Sequence, residues 1–216
     1  MHLKPIIAAV VAMCALLVLP ETAAAAADPV NQAITLGDTA ALSRLIADGA
    51  ALNGDDPDSA PVVLAAGLGD TGALRLLLDS GAKPLPDAAW AAAREGRREA
   101  LTLLLDRGVP VNSADPYDMT PLMLASLHGH AGIVSDLLAR GAKVDAREVV
   151  YGYTALILAA AHGYAGIVEQ LAEHGADPNA RTVDDKTALS WAVAKSGTNP
   201  EYQPVISLLK RYGAGE

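Results

Sequence analysis

Hydrophobic positions in this chain follow two nested rhythms. Within short segments they fall at i, i+1, i+4 and i+5: Ala41, Leu42, Leu45 and Ile46; Ala73, Leu74, Leu77 and Leu78; Ala100, Leu101, Leu104 and Leu105; Ile133, Val134, Leu137 and Leu138; Ile167, Val168, Leu171 and Ala172. That spacing lays one apolar stripe along a helix. Two glycines twelve residues apart frame each segment: Gly37/Gly49, Gly69/Gly81, Gly96/Gly108, Gly129/Gly141 and Gly163/Gly175. The closing glycine suits a left-handed helix C-cap. A shorter, alanine-rich helix is predicted before each first glycine. Thr120, Thr154 and Thr187 are its N-caps, Pro121 sits at a first helical position, and Asp87 stands in as the cap of the third unit. The outer rhythm is the whole unit, which recurs about every 33 residues. A unit of this size cannot bury its own apolar face and must stack on copies of itself. The pattern therefore predicts an all-α solenoid of helix-turn-helix units.

The fourth unit states the phrase in full: Thr120, Pro121, Leu122, then Leu124 and Ala125, Gly129 and His130, Ile133 and Val134, Leu137 and Leu138, Gly141 and Ala142. This phrase resembles the ankyrin repeat. The resemblance covers residues 28–214, with six units near 28–53, 54–85, 86–112, 113–145, 146–179 and 180–214, within a domain of residues 28–216. It implies stacked antiparallel helix pairs joined by β-turn or hairpin fingers. The histidine that usually follows T-P-L is replaced by Met123, Ile157 and Ser190, so the hydrogen bond it makes between repeats is not expected. Only Ala82, Lys83, Pro84, Leu85 and Pro86 lie where a finger would precede the third unit, so no finger is expected there. Polar Asn31 and Gln32 in the first unit, and Lys210 in the last, fit caps that face water.

The first 27 residues read as a cleavable secretory signal. Lys4 is followed by an uncharged apolar run over residues 6–19, then Pro20 and overlapping A-x-A sites at 23–27. The run is short for a membrane-spanning helix. Lipid attachment at Cys14 is not expected, because bulky Met13 precedes it and the apolar run continues beyond. The segment carries one charge of each sign, Lys4 and Glu21, so the mature chain keeps the net charge of −9. A basic face for phosphate or for an anionic membrane is missing. Nucleic acid and membrane are thus excluded as expected partners. The mature chain has no cysteine, which leaves packing to stabilise it. A monomer in the periplasm of a Gram-negative-type cell, or secreted from it, is expected.

No motif points to catalysis, a cofactor or a metal. Gly67, Gly69 and Gly72 spell G-x-G-x-x-G, but Gly69 is the repeat-turn glycine and a predicted helix, not a strand, precedes it. His128 and His162 occupy equivalent positions in adjacent units, roughly 10 Å apart at helix-packing distance, which one zinc ion cannot span. Asp115, Asp118, Asp145, Asp184 and Asp185 fall in finger segments, where Asp suits turns.

In the ankyrin-type stack, partners usually dock on finger tips and on the exposed ends of the first helices. The resemblance carries that role to Tyr117, Met119, Leu127 and His128 in the fourth unit. In the fifth it falls on Val150, Tyr151, Tyr153 and His162, and in the sixth on Asp184, Lys186 and Lys195. Three of the six tyrosines gather in two adjacent fingers, and aromatic residues are favoured binding anchors. The reading is a non-catalytic protein-binding module acting through the concave face of units four to six. An inhibitor or immunity protein that blocks one enzyme remains open, as does an enzyme or metal-binding protein built on the solenoid.

Overall fold

The computed structural model describes residues 28–53, 60–197 and 199–215; the expected leader lies outside the described residues. Among them are 12 α-helices and no strand. The helices form six antiparallel pairs: α1 (Pro29–Thr35) with α2 (Thr39–Ala47), α3 (Pro61–Leu68) with α4 (Thr71–Asp79), and α5 (Pro86–Arg94) with α6 (Arg98–Asp106). The series continues with α7 (Pro121–His128) and α8 (Ala131–Ala139), α9 (Ala155–Ala161) and α10 (Ala165–Glu173), and α11 (Ala188–Ser196) with α12 (Gln203–Arg211). A 3-10 turn at Pro200–Tyr202 lies in the longer link between the last two.

The helix starts are chemically specified. Thr120, Thr154 and Thr187 accept from the amides of Met123, Ile157 and Ser190 at 3.3, 3.3 and 3.1 Å. Asp87 does not play this part. Pro86 opens α5, Leu85 is its N-cap without a side-chain bond, and Asp87 falls in the first turn. The reason is Pro86 itself, whose fixed φ and missing N–H suit the first helical position. Asp87 still complements the helix dipole from there.

First helices pack on first helices along the whole stack, and they approach more closely than most second helices do. Their small side chains permit this: Ala88, Ala89, Ala92, Ala93, Ala159 and Ala160 are fully buried. Helices α7 and α9 are buried on nearly every side, as expected of helices sandwiched between neighbours. The second helices bury the stripe read from the sequence, with Leu74, Leu77, Leu104, Ile133, Leu137 and Ile167 inaccessible to solvent. The terminal units taper. Helix α2 fully buries Leu42 only, and Lys210 on α12 is exposed. Asn31, expected to face water, is instead buried at the start of the stack, while Gln32 is exposed.

Successive units are also joined by side chains seated on the preceding turn. Arg97 lies over Gly69 and donates to the Gly67 carbonyl at 3.1 Å. His130 lies over Gly96, with Nε2 2.8 Å from the Arg94 carbonyl. Tyr164 covers Gly129, and Tyr202 covers Gly163 and donates to the Ala161 carbonyl at 3.0 Å. A Cβ on Gly129 would stand 2.8 Å from the Tyr164 ring, and its φ of +81° is left-handed. That glycine is needed twice over, for backbone and for room.

A second ladder joins the ends of the second helices to the next unit. Asn53 accepts from Lys83 N (2.8 Å), Asn112 from Lys143 N (2.7 Å), Asp145 from Asp177 N (2.9 Å) and Asn179 from Gly215 N (2.8 Å). One rung cannot form. Leu85 stands at the acceptor position of the second unit, and Pro110, which has no N–H, stands at the matching donor position of the third. No turn projects from residues 82–85 either, so the missing finger and the missing rung share one seam.

Two measurements test this packing. Leu137→Ala should cost ~2–5 kcal/mol in equilibrium denaturation, and a loss under about 0.5 kcal/mol would contradict the register. Gly141 also has φ +81°, but nothing approaches its missing Cβ. Gly141→Ala should therefore cost only the backbone strain, about 1–2 kcal/mol. Gly129→Ala should cost more, with the excess disappearing in a Tyr164→Ala background.

Candidate protein-docking surface

Three fingers project ahead of α7, α9 and α11. Each is a short turn whose first residue ties the later amides. Asp115 accepts from Tyr117 N and Met119 N at 2.8 and 2.9 Å. Glu148 accepts from Val150 N (2.7 Å), Tyr151 N (2.6 Å) and Tyr153 N (3.2 Å). In the sixth unit the Thr182 hydroxyl accepts from Lys186 N at 3.0 Å and donates to the Asp184 carboxylate at 2.7 Å. The two arms of each finger are bonded through the main chain: Asp115 N to Met119 O, Glu148 N to Tyr153 O and Thr182 N to Lys186 O, at 2.9–3.1 Å. Asp118, Gly152 and Asp185 turn the chain with φ near +60 to +73°, a conformation open to Gly and tolerated by Asp.

Backbone hydrogen bonds lace finger to finger. Val149 N donates to Tyr117 O at 3.0 Å, and Val183 N donates to Tyr151 O at 2.8 Å. Pro116 holds the equivalent position in the first of these fingers and has no N–H to offer. The ladder thus begins where the preceding seam has no finger to receive one.

The fingers display apolar side chains to solvent. Val183 is 77% exposed, Val149 63%, Tyr117 42% and Val150 40%. Asp118, Asp184, Asp185 and Lys186 surround them, also exposed. The two finger arginines are folded onto the fingers themselves. Arg147 donates to the Arg181 carbonyl at 2.6 Å, and Arg181 pairs with Asp185 at 2.9 Å.

The residues expected on the docking face therefore divide. Tyr117, Val150 and Asp184 stand on the tips, Lys186 is exposed on the returning arm of its finger, and Tyr151 is half-buried beside the tips. His128, His162 and Lys195 lie at the far ends of the first helices, a helix length of about 12 Å away. His128 is exposed, His162 and Lys195 half-buried. Met119, Leu127 and Tyr153 are buried, contrary to expectation, at 5%, 4% and 3% exposure. Their positions face the next unit. The equivalents of Met119 and Tyr153 in the last unit, and of Leu127, are Lys186 and Ala194, both exposed, with no further unit stacked on them among the described residues. Tyr153 packs on Trp191 of the following unit, ring centroids 6.2 Å apart. Trp90 is half-buried and donates its indole N–H to the Ser113 carbonyl at 3.1 Å.

The ionisable groups show structural roles. Burial pushes the Tyr153 hydroxyl up to about 12, helped by Asp184 and Glu148, so it stays neutral. Burial also raises Asp115 above the ordinary carboxylate value, against the pull of the amides it binds. Partial burial, with the nearby His130, holds His128 below the usual histidine value. The His128 and His130 rings stack at 6.2 Å, and those of His162 and Tyr164 at 5.9 Å. Among the described residues no three His, Cys, Asp or Glu side chains are grouped to hold a metal ion. Gly69 is the left-handed C-cap of a helix, not a phosphate loop after a strand. No helix among the described residues is long and apolar enough to cross a membrane.

A family model described as Ankyrin repeats (3 copies) matches residues 64–148 and 145–214. The chain belongs to the ankyrin-repeat family. Ankyrin repeats are in general protein–protein interaction modules and typically non-catalytic. One similar protein is an ankyrin repeat-containing protein of Saccharomyces cerevisiae, 46% identical over 54 residues, covering 25% of this chain and 10% of that protein. Another is ankyrin repeat domain-containing protein 29 of Danio rerio, 43% identical over 63 residues, 29% of this chain and 21% of the relative. The E3 ubiquitin-protein ligase XB3 of Oryza sativa subsp. japonica is 43% identical over 53 residues, 24% and 12% respectively. The matched segments span only about a tenth to a fifth of these relatives. All three are eukaryotic and do not speak for a bacterial source.

Sequence reasoning missed Val149 and Val183, the most exposed apolar side chains on the ankyrin fingers, and Glu148, which organises one of them. Aromatic composition drew attention to the tyrosines, whereas the alignment of Pro116, Val149 and Val183 at one finger position was the available signal. Glu148→Ala should strip three amides of their acceptor and cost ~1–3 kcal/mol. Hydrogen exchange at Val150, Tyr151 and Tyr153 should accelerate with it, and unchanged protection there would show that the carboxylate does not hold the finger.

Proposed function

We propose that this ankyrin-repeat protein is an exported, non-catalytic module that captures a partner protein on the fingertips of units four to six. The observation that carries the reading is the row formed by Tyr117, Val149, Val150 and Val183. Exposed apolar side chains grouped on one surface mark interaction sites, and these sit on fingers fixed by their own hydrogen bonds. A surface held in place before contact loses little entropy on binding. The net charge of −9 favours a partner with a basic patch, through steering more than through tight pairing.

Export rests on the sequence of the first 27 residues: a short basic start, an apolar run and small-residue cleavage sites. The proposed compartment is the periplasm of a Gram-negative-type cell, with the mature chain acting there as a monomer.

Crosslinking in the cell followed by affinity capture tests the surface. The triple variant Tyr117→Ala, Val150→Ala, Val183→Ala should lose the captured protein. Each exposed substitution should change stability by less than about 0.5 kcal/mol. Retention of the partner by a fully folded triple variant would remove the fingertips from the binding site.

A further inference from the structure

We infer that the outer face of the sixth unit is a second docking surface, and that it takes an α-helix of a partner, acidic in its first turn, as α9 takes α11. The face is distinct from the fingertips, and its occupant follows from the junctions inside the stack.

What covers the equivalent positions elsewhere defines the face. Three residues ahead of the first glycine of each pair, Ala66, Ala93, Ser126 and Ala160 are fully buried where the next unit packs on them. Their equivalent in the sixth unit is Val193, which is 50% exposed. On the second helices Leu74, Leu101, Val134 and Val168 are buried, but Ile206 of α12 is only half-buried. Ala161 is buried, and its equivalent Ala194 is exposed. A face that had only to meet water would be polar at these places. Here a larger apolar side chain stands where units two to five carry alanine or serine. Exposed Lys186 and Lys210 lie at its edge, so an apolar centre has a charged rim.

Every inner junction lays a helix on this surface, α7 on α5, α9 on α7 and α11 on α9. The face is built from α11 and α12, whose main-chain groups bond within each helix. It has no sheet edge for an extended segment to pair with. Such a segment would bring backbone amides onto Val193 and Ile206 and leave them without partners. A helix arrives with its own backbone satisfied.

The inner first helices also show which side chains meet the face. Pro121 and Leu124, Ala155 and Leu158, and Ala188 and Trp191 are buried pairs spaced i, i+3. The equivalents in the first unit, Pro29 and Gln32, are exposed. These positions therefore face the preceding unit. The fitting helix carries alanine or proline at its first position and a large apolar residue at the third position after it.

Charge sets the direction of that helix. Lys186 immediately precedes the N-cap of α11, and Lys210 lies in the last turn of the antiparallel α12. Both therefore stand at the finger end of the face. Neither enters an ion pair among the described residues. Of the carboxylates at that end, Asp185 is paired with Arg181, and Asp184 accepts from the Thr182 hydroxyl. The opposite end carries Lys195 and Glu201, which are of opposite sign. A helix seated as α11 is on α9 starts at the finger end. Acidic residues in its first turn then meet the two lysines and complement its own dipole.

The probe is a labelled synthetic helix of about 18 residues, long enough to hold its own helicity. It has glutamates in its first turn, followed by alanine and leucine spaced i, i+3 on one face. Two comparison peptides keep the composition: one scrambles the apolar face, the other moves the glutamates to the last turn. By fluorescence anisotropy with the mature protein, the probe should bind at least about tenfold more tightly than either. Val193→Asp with Ala194→Asp, both at exposed positions, should weaken binding by at least about tenfold. Val149→Asp, on a fingertip, should leave it unchanged. Absence of binding, or equal binding of either comparison peptide, would overturn the inference and leave the face as a water-facing cap. Equal loss with Val149→Asp would move the helix to the fingertips and overturn it as well.

Discussion

A helix pair of about 33 residues has an apolar face on either side and nothing within itself to cover both. Each inner unit here is therefore stable only through the units on its two flanks. The structure meets that constraint at three heights. Alanine-rich first helices press together at the centre. Arg97, His130, Tyr164 and Tyr202 sit on the glycine turns at one end. Fingers and asparagine rungs link the other. The turn glycines are the tightest of these points, because a left-handed backbone and a neighbour's ring meet at one atom. Four ion pairs also cross between units, Arg98–Asp136, Arg107–Asp79, Arg140–Asp106 and Arg211–Glu169, each with one partner more than half exposed. Such pairs contribute little, and packing carries the stack.

The same constraint explains which surface remains for a partner. A position that faces the next unit is buried whatever its chemistry, and only the last unit leaves it open. Tyr153 and Met119 are examples, with Lys186 as the exposed equivalent. Side chains that reach solvent throughout the stack point outward from the tips, as Val149 and Val183 do. Because the tips are joined by backbone bonds, their spacing is inherited from the spacing of the units. The display is thus as regular as the core, even though its residues are not.

That difference decided how much could be read from the chain alone. The stripe from Ala73 to Leu78 and its copies, the glycine pairs and the threonine caps announce themselves, since burial and φ restrict what can stand there. The buried state of Met119 and Leu127 was not legible. A methionine in a finger or a leucine at a helix end has no periodic partner within its own unit to reveal which way it points. The asparagine rungs were legible in principle, each four residues after a closing glycine, but a single polar residue at that interval is easily read as loop. Asp87 misled because it is a good cap placed one residue inside a helix that Pro86 had already begun.

The seam between the second and third units gives the stack its polarity. Leu85 removes the acceptor of one rung, Pro110 removes its donor, and residues 82–85 build no finger. These losses agree with one another: a rung lacking both halves leaves neither an N–H nor a side-chain oxygen waiting for its counterpart. Pro116 extends the same logic by one finger, since the first member of the laced row carries no N–H toward a seam that offers no carbonyl. The hydrogen-bonded row can therefore run only from the fourth unit toward the sixth. The laced tips therefore all lie on the C-terminal side of that seam, which is the surface proposed above for a partner.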